Sequence, residues 1–341
     1  MNYDKITKES REAFWEIIDK AKNISITSHM SPDDDSISSV LSLYAVIKKL
    51  YPDKSLRIIY PGVPENRYKS FKLFEKIEWL PDISTELDSI DLLILLDANQ
   101  YGRVSREPLK FLSLKNIICV DHHSSPPDKF VLSIIDSNSP CNAQILYELC
   151  ESLEINKELA EIFLLGILGD TGNFAYLKPS QTKTLLIAKK LIEIGNIEIQ
   201  EFQSRYRGIS ENVFEIIQEL IKNLKHGEIK GYKLFSYSYL DRKYVENKKF
   251  TDLDMTAAKN VFVSSYIRTI ENHPWGFVVI PKADQVSSVS FRSLPQGENV
   301  RIIAEKMQIG GGHDLASGGT IKDEPDSFKA LNWLLNWLKT H

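Results

Sequence analysis

The stretch Ile24-Ser25-Ile26-Thr27-Ser28-His29-Met30-Ser31-Pro32-Asp33-Asp34-Asp35-Ser36 governs how this chain is read. Ile24–Thr27 has the length and apolar character of a short buried strand. Beyond it, Ile37, Val40, Leu41, Tyr44 and Ile47 recur at helical spacing, so a helix is expected to start near Ser36. Between the two, His29 to Asp35 packs one imidazole and three carboxylates into seven residues. Charge of one sign at this density repels itself unless a cation or basic ligand is present. Pro and Asp are also ordinary turn and cap residues, so the stretch taken alone reads first as a solvated Asp-rich turn or helix N-cap. A metal-binding reading has to come from residues elsewhere.

Those residues follow a repeated pattern. Ser55–Tyr60 is a second strand candidate. Leu92–Leu96 is an apolar run ending in Asp97, Asn116–Val120 one ending in Asp121-His122-His123, and Phe130–Ile135 one ending in Asp136. Short continuous apolar runs separated by helical patterns indicate a parallel sheet covered on both faces. Ligands of such sheets bind beyond the carboxyl ends of the strands. His29, Asp33, Asp35, Asp97, Asp121 and His122 all fall at such ends.

Helical patterns follow over Cys141–Leu153 and Lys157–Leu168, the second carrying Asp170-Thr171-Gly172 toward the same edge, then over Ser180–Ile194 and Glu211–Leu224. His226, just before Gly227, reads as a helix C-terminal residue. Past Gly227 the texture changes to strand-like Tyr232–Leu240, Gly276–Ile280 and Ser287–Phe291, with helical Thr256–Tyr266, Val300–Met307 and Phe328–Leu338. The expected fold class is α/β, with an N-terminal parallel-sheet domain over residues 1–205, a linker helix region over 206–227 and a smaller α/β domain over 228–341.

Bulk properties narrow the function classes. The chain has 341 residues, 43% of them hydrophobic, and a net charge of −4 with dispersed basic residues. That argues against a protein that coats long nucleic acid. Three cysteines, Cys119, Cys141 and Cys150, lack paired metal spacing and suit a reducing cytosol. No apolar run reaches membrane-spanning length, so a cytoplasmic protein without a membrane partner is expected. Mixed imidazole and carboxylate donors suit manganese better than a thiolate zinc site.

His29-x-x-Pro32-Asp33-x-Asp35, Asp97, Asp121-His122-His123 and Asp170-Thr171-Gly172 resemble, in order, the four motifs of the DHH phosphoesterases. Phe291-Arg292-Ser293 and Gly310-Gly311-Gly312-His313-x-x-Ala316 resemble the DHHA1 substrate-binding domain of that family. The resemblance runs from about Lys20 to Gly319. It implies two divalent metal ions, manganese by preference, that activate a bridging water. His29 and Asp33 would hold one ion, Asp35, His122 and Asp170 the other, and Asp97 would bridge them. Asp121 would fix the tautomer of a neighbouring histidine, and His123 would face the substrate phosphate. Arg292, Ser293, Gly310, Gly311, Gly312 and His313 would bind substrate, the glycines letting backbone amides approach an anion.

Within that family the compact two-domain layout resembles bifunctional oligoribonucleases (nano-RNases) that also remove the 3′-phosphate of 3′-phosphoadenosine 5′-phosphate (pAp). A cleft between two small domains would suit short oligoribonucleotides or small phosphorylated nucleotides, and a homodimer is left open. Alternatives are a phosphodiesterase acting on cyclic dinucleotides or pApA, and a catalytically weak nucleotide-binding regulator. Asp34 stands where relatives carry a small residue, Ser38 where Gly is common, and Asn142-Ala143 where small hydroxyl residues are usual.

Overall fold

The central apolar runs, Leu92–Leu96 and Ile117–Val120, become neighbouring strands with all of their residues buried. In the computed structural model, which describes residues 1–151, 153–282, 285–322 and 324–341, the chain divides into two compact units, Met1–Arg207 and Gly208–His341. The first contains β1 (Asn2–Tyr3), α1 (Lys8–Lys20), β2 (Asn23–Thr27), α2 (Asp34–Leu50), β3 (Ser55–Pro61), β4 (Ile77–Leu80), β5 (Leu92–Leu96), β6 (Ile117–Asp121) and β7 (Leu132–Ile135). It continues with α3 (Asn142–Leu149), α4 (Lys157–Asp170), α5 (Lys183–Gly195) and α6 (Ile199–Ser204).

All seven strands pair in parallel, in the order β1-β7-β6-β5-β2-β3-β4. The chain runs outward from β2 through β3 to β4, then returns to the other side of β2 as β5. That reversal is the topological switch point, where the loops after two adjacent strands diverge and leave a crevice. Thr27 lies opposite Leu95, so β2 and β5 end level and deliver His29 and Asp97 side by side.

One sheet face buries Ile24, Ile26, Ile58, Ile94, Ile118 and Val120 under the α-helices. The opposite face buries Ile59, Leu93, Leu95 and Ile117 under Ile83, Tyr101, Val104 and Phe111. The cover on this second face is short 3-10 turns such as Tyr101–Arg103 and Pro108–Ser113 rather than α-helices. Edge strand β4 escapes the sequence pattern because Glu78 interrupts its apolar residues. The three cysteines are buried and unpaired, as packing residues. No described helix is long and apolar enough to cross a membrane.

The second unit contains α7 (Glu211–Lys222), β8 (Lys225–Gly227), β9 (Phe235–Tyr239), α8 (Arg242–Lys248), α9 (Asp252–Ser265), β10 (Trp275–Pro281), β11 (Ser287–Ser293), α10 (Val300–Lys306), β12 (Gly310–His313), β13 (Ala316–Ile321) and α11 (Ser327–Thr340). Its mixed sheet runs β12-β13-β11-β10-β9-β8. Phe277, Val279, Val289 and Phe291 point to α10 and α11, while Val278 and Ile280 point to α7 and α9. One local expectation changes: His226 lies in β8, its ring 4.3 Å from that of His273, because α7 stops at Lys222. The glycines 310–312 lie in the edge strand β12.

Candidate metal centre

Asp33 begins the site by folding its own loop. Its carboxylate accepts from Ser36 N–H at 2.9 Å and Ser36 Oγ accepts from Asp33 N–H at 2.9 Å, a reciprocal cap that fixes the start of α2. The His29 ring is oriented in turn by the backbone. Its Nδ1 lies 2.9 Å from the Met30 carbonyl and is the donor there. Its Nε2 then faces the acids, 3.2 Å from Asp97 Oδ2 and 3.4 Å from Asp33 Oδ2.

Asp97 occupies the middle. It takes a left-handed backbone conformation (φ 54°) directly after β5, which no β-strand residue would adopt without cause. Its Oδ2 meets His29, and its Oδ1 lies 3.3 Å from Nε2 of His122. The same Nε2 is 3.3 Å from Asp170 Oδ2 and 3.9 Å from Asp35 Oδ2. Donor atoms form three overlapping groups, each within 4.8 Å: His29–Asp33–Asp97, Asp35–His122–Asp170, and Asp97–Asp121–His122–His123; the first two adjoin across Asp97. Asp97 stands between them with one oxygen toward each.

Asp35 is fully buried and is gripped by the start of α3. The backbone N–H groups of Asn142 and Ala143 donate to its two oxygens at 2.6 and 2.8 Å. Gly166 of α4 backs the same carboxylate: a Cβ there would lie 2.7 Å from Asp35 Oδ1 and 2.6 Å from Ala143 Cβ. Ser38 is buried too, donating to the Ile162 carbonyl at 2.7 Å to tie α2 to α4. Asp170 is the last residue of α4, two residues beyond the expected helix end.

Electrostatics mark the site as short of positive charge. Burial and then the neighbouring Asp97 push the Asp35 carboxyl up to about 8. Burial and Asp35 raise Asp170 well above the carboxylate range. Burial opposes charge on the two histidines, but the carboxylates outweigh it. Asp33 and Asp97 hold His29 well above its usual value, and Asp97 followed by Asp170 lifts His122 to about 10. For Asp97 burial is likewise outweighed, by His122 and His29, leaving it well below its usual value. Four carboxylates and two imidazoles converging on one buried volume form an oxygen–nitrogen donor set of the kind that divalent cations require. The residues present therefore fit two such ions.

Asp121 and His123 sit beside this cluster. Asp121 Oδ1 accepts from His123 Nδ1 at 2.7 Å and from His122 N–H at 2.8 Å. The partner of Asp121 is thus His123, whose ring packs 4.4 Å from that of His122. Asp34 points elsewhere. Its Oδ1 accepts from Tyr68 Oη at 2.7 Å and pairs with Arg67 Nη1 at 2.7 Å, so it anchors the 65–68 segment and belongs to neither donor group. Sequence reading missed Arg67, Tyr68, Gly166 and the two α3 amides. Only Gly166, a glycine inside a strongly apolar helix, carried a signal.

In the second unit, Arg292, Ala316 and His313 are paired in register across β11, β13 and β12, so Arg292 and His313 share one sheet face. Ser293 belongs to the opposite face, where its buried hydroxyl donates to the Leu294 carbonyl at 3.1 Å. Gly311 has open space at its Cβ position, whereas a Cβ on Gly310 or Gly312 would strike the backbone of β13. Close strand packing accounts for those two glycines.

Residues 23–167 match the DHH family, N-terminal domain. A bifunctional oligoribonuclease and PAP phosphatase NrnA of Bacillus subtilis is 25% identical over 92% of this chain and 94% of its own. The protein of the same name from Thermus thermophilus is 28% identical over 88% and 84%. In the crystal, an exopolyphosphatase-related protein from Bacteroides fragilis has the same fold, with a TM-score of 0.80, 22% identity and 98% coverage of both chains. The DHH-matched segment lies within the first unit, from β2 into α4.

Proposed function

We propose that the chain is a manganese-dependent phosphoesterase that hydrolyses short oligoribonucleotides to nucleoside monophosphates and pAp to AMP. The observation that carries this reading is Asp97 standing between two His–Asp groups, one carboxylate oxygen toward each histidine. His29, Asp33 and Asp97 would hold one ion, and Asp35, His122, Asp170 and Asp97 the other. Ions so held would polarise the phosphoryl oxygens and supply a nucleophilic oxygen at neutral pH.

The protein residues position and protonate. Asp121 holds Nδ1 of His123, so Nε2 is the nitrogen that would meet a phosphate oxygen or hand a proton to the leaving group. The amides of Asn142 and Ala143 keep Asp35 in place when its charge is engaged. Arg292 and His313 would bind the substrate phosphate on the face of the second sheet that they share. The relatives named for oligoribonuclease and PAP phosphatase activity support this substrate class.

The test is purified protein with manganese, challenged with pApA, pAp, cyclic di-AMP and pyrophosphate, each with a chelator control. Chelator-sensitive release of AMP from pApA and pAp is expected. Tight nucleotide binding without turnover of any of the four would replace this reading with a regulatory one.

A further inference from the structure

In the first unit, the loops after β5 and β6 are stitched together by one short segment. Residues 99–101 begin two positions beyond Asp97 and reach across to the loop after β6, which opens with His122 and His123. Gln100 Nε2 donates to the Pro126 carbonyl at 3.0 Å, and Tyr101 N–H donates to Asp128 Oδ2 at 2.6 Å. Asp128 N–H donates back to the Asn99 carbonyl at 2.8 Å. The member of this clasp that reaches His123 itself is Asn99. Its amide nitrogen donates to the carbonyls of His123 at 3.2 Å and Ser125 at 2.9 Å, and its amide oxygen accepts from Ser125 Oγ at 2.8 Å.

Asn99 is fully buried, so each of these polar groups would cost free energy if left unbonded. Two donors and an acceptor on one short planar group require an amide side chain; alanine supplies none of them and aspartate supplies acceptors alone. The bond to the His123 carbonyl matters because of how that residue is otherwise held. Its Nδ1 meets Asp121 Oδ1 at 2.7 Å, and Asp121 is the last residue of β6. One hydrogen bond at the ring fixes Nδ1 without fixing the tilt of the imidazole about that oxygen. A second hold on the residue's own carbonyl, reached from beyond β5, narrows the tilt and sets where Nε2 points. It also ties the ring to Asp97, which precedes Asn99 on the same chain.

We infer that Asn99 is a positioning residue for His123, placing its Nε2 relative to Asp97 for proton transfer to the leaving group. In that step a water oxygen bonds to phosphorus as the bond to the leaving oxygen breaks. The leaving oxygen keeps the electron pair and takes the proton from Nε2. The inference rests on the phosphoesterase reading and deepens it with a residue that acts through His123.

The test uses the full chain loaded with manganese, as wild type, Asn99→Ala and Asn99→Asp. Two diesters differ in their leaving group: pApA, whose ribose oxygen needs a proton, and the p-nitrophenyl ester of AMP, whose nitrophenolate leaves without one. Each variant should lower kcat on pApA by about a hundredfold with KM little changed, and only a fewfold on the nitrophenyl ester, the pattern of a displaced proton donor. Manganese content should stay at the wild-type value. Should burying the new charge unfold Asn99→Asp, Asn99→Ala carries the comparison. Equal loss on both esters, or no loss on either, overturns the inference while leaving the phosphoesterase reading intact. Hydrogen exchange over residues 122–128 gives a readout independent of turnover. Both variants should exchange faster there, and wild-type protection in both overturns the inference. If wild type cleaves neither ester, the phosphoesterase reading fails, and the exchange rates alone decide whether Asn99 holds the loop.

Discussion

At the scale of single residues, three neighbouring acids have three separate employments. Asp33 caps α2 and faces His29; Asp35 is buried against the α3 amides; Asp34 turns away to Arg67 and Tyr68. Replacing Asp34 by Gly should therefore leave manganese binding intact. It should still lower stability by about 1–3 kcal/mol, since a half-buried guanidinium and a phenol lose a charged acceptor. Denaturant melts and a metal titration check both halves. Asp170 gives the opposite sign. Its carboxyl is repelled by Asp35 within the cluster, so Asp170→Asn should match or exceed wild type in melting temperature when chelated, yet lose the rise that manganese brings. A metal-induced rise equal to wild type would remove Asp170 from the ligand set.

At the scale of elements, the site depends on how closely α2, α3 and α4 approach. Gly166→Ala places a methyl against Asp35 and Ala143, and should cost activity through a displaced Asp35 as well as about 1–3 kcal/mol of stability through overpacking. In the second unit, Lys259 gives a pH dependence. Its ammonium loses its proton near 8 in the fold and near 10.5 when unfolded, with Lys282 and Arg292 as the facing charges. Between those values the unfolded chain binds more protons, so stability should rise with pH through this window. Lys259→Met should lack that increment in melts run across the same range.

The elements also show where sequence was sufficient. Leu92–Leu96 was legible because a fully buried parallel strand has no face on which to place a polar residue. His29, Asp33, Asp97 and His122 were legible because strand ends at a switch point are where ligands bind. Asp34 was opaque: its partners lie 33 and 34 positions away in a 3-10 turn with no periodicity to announce it. The glycines 310–312 were ambiguous for a related reason. Glycine signals freedom from a side chain, and the sequence does not say whether a ligand or a neighbouring strand occupies the space.

At the scale of the molecule, one unit concentrates carboxylates and imidazoles at the end of a parallel sheet, and the other sets Arg292 and His313 on one face of a mixed sheet. A phosphate ester needs both kinds of surface, one to bring reactivity and one to neutralise charge. The central claim is that the six residues of the first unit hold a pair of divalent ions through Asp97. Its most direct test is the manganese content of wild type and Asp97→Ala after loading and desalting, measured by elemental analysis with circular dichroism as the fold control. Two ions per wild-type chain and neither in the variant is the predicted result. Two ions retained in a folded Asp97→Ala protein would contradict it.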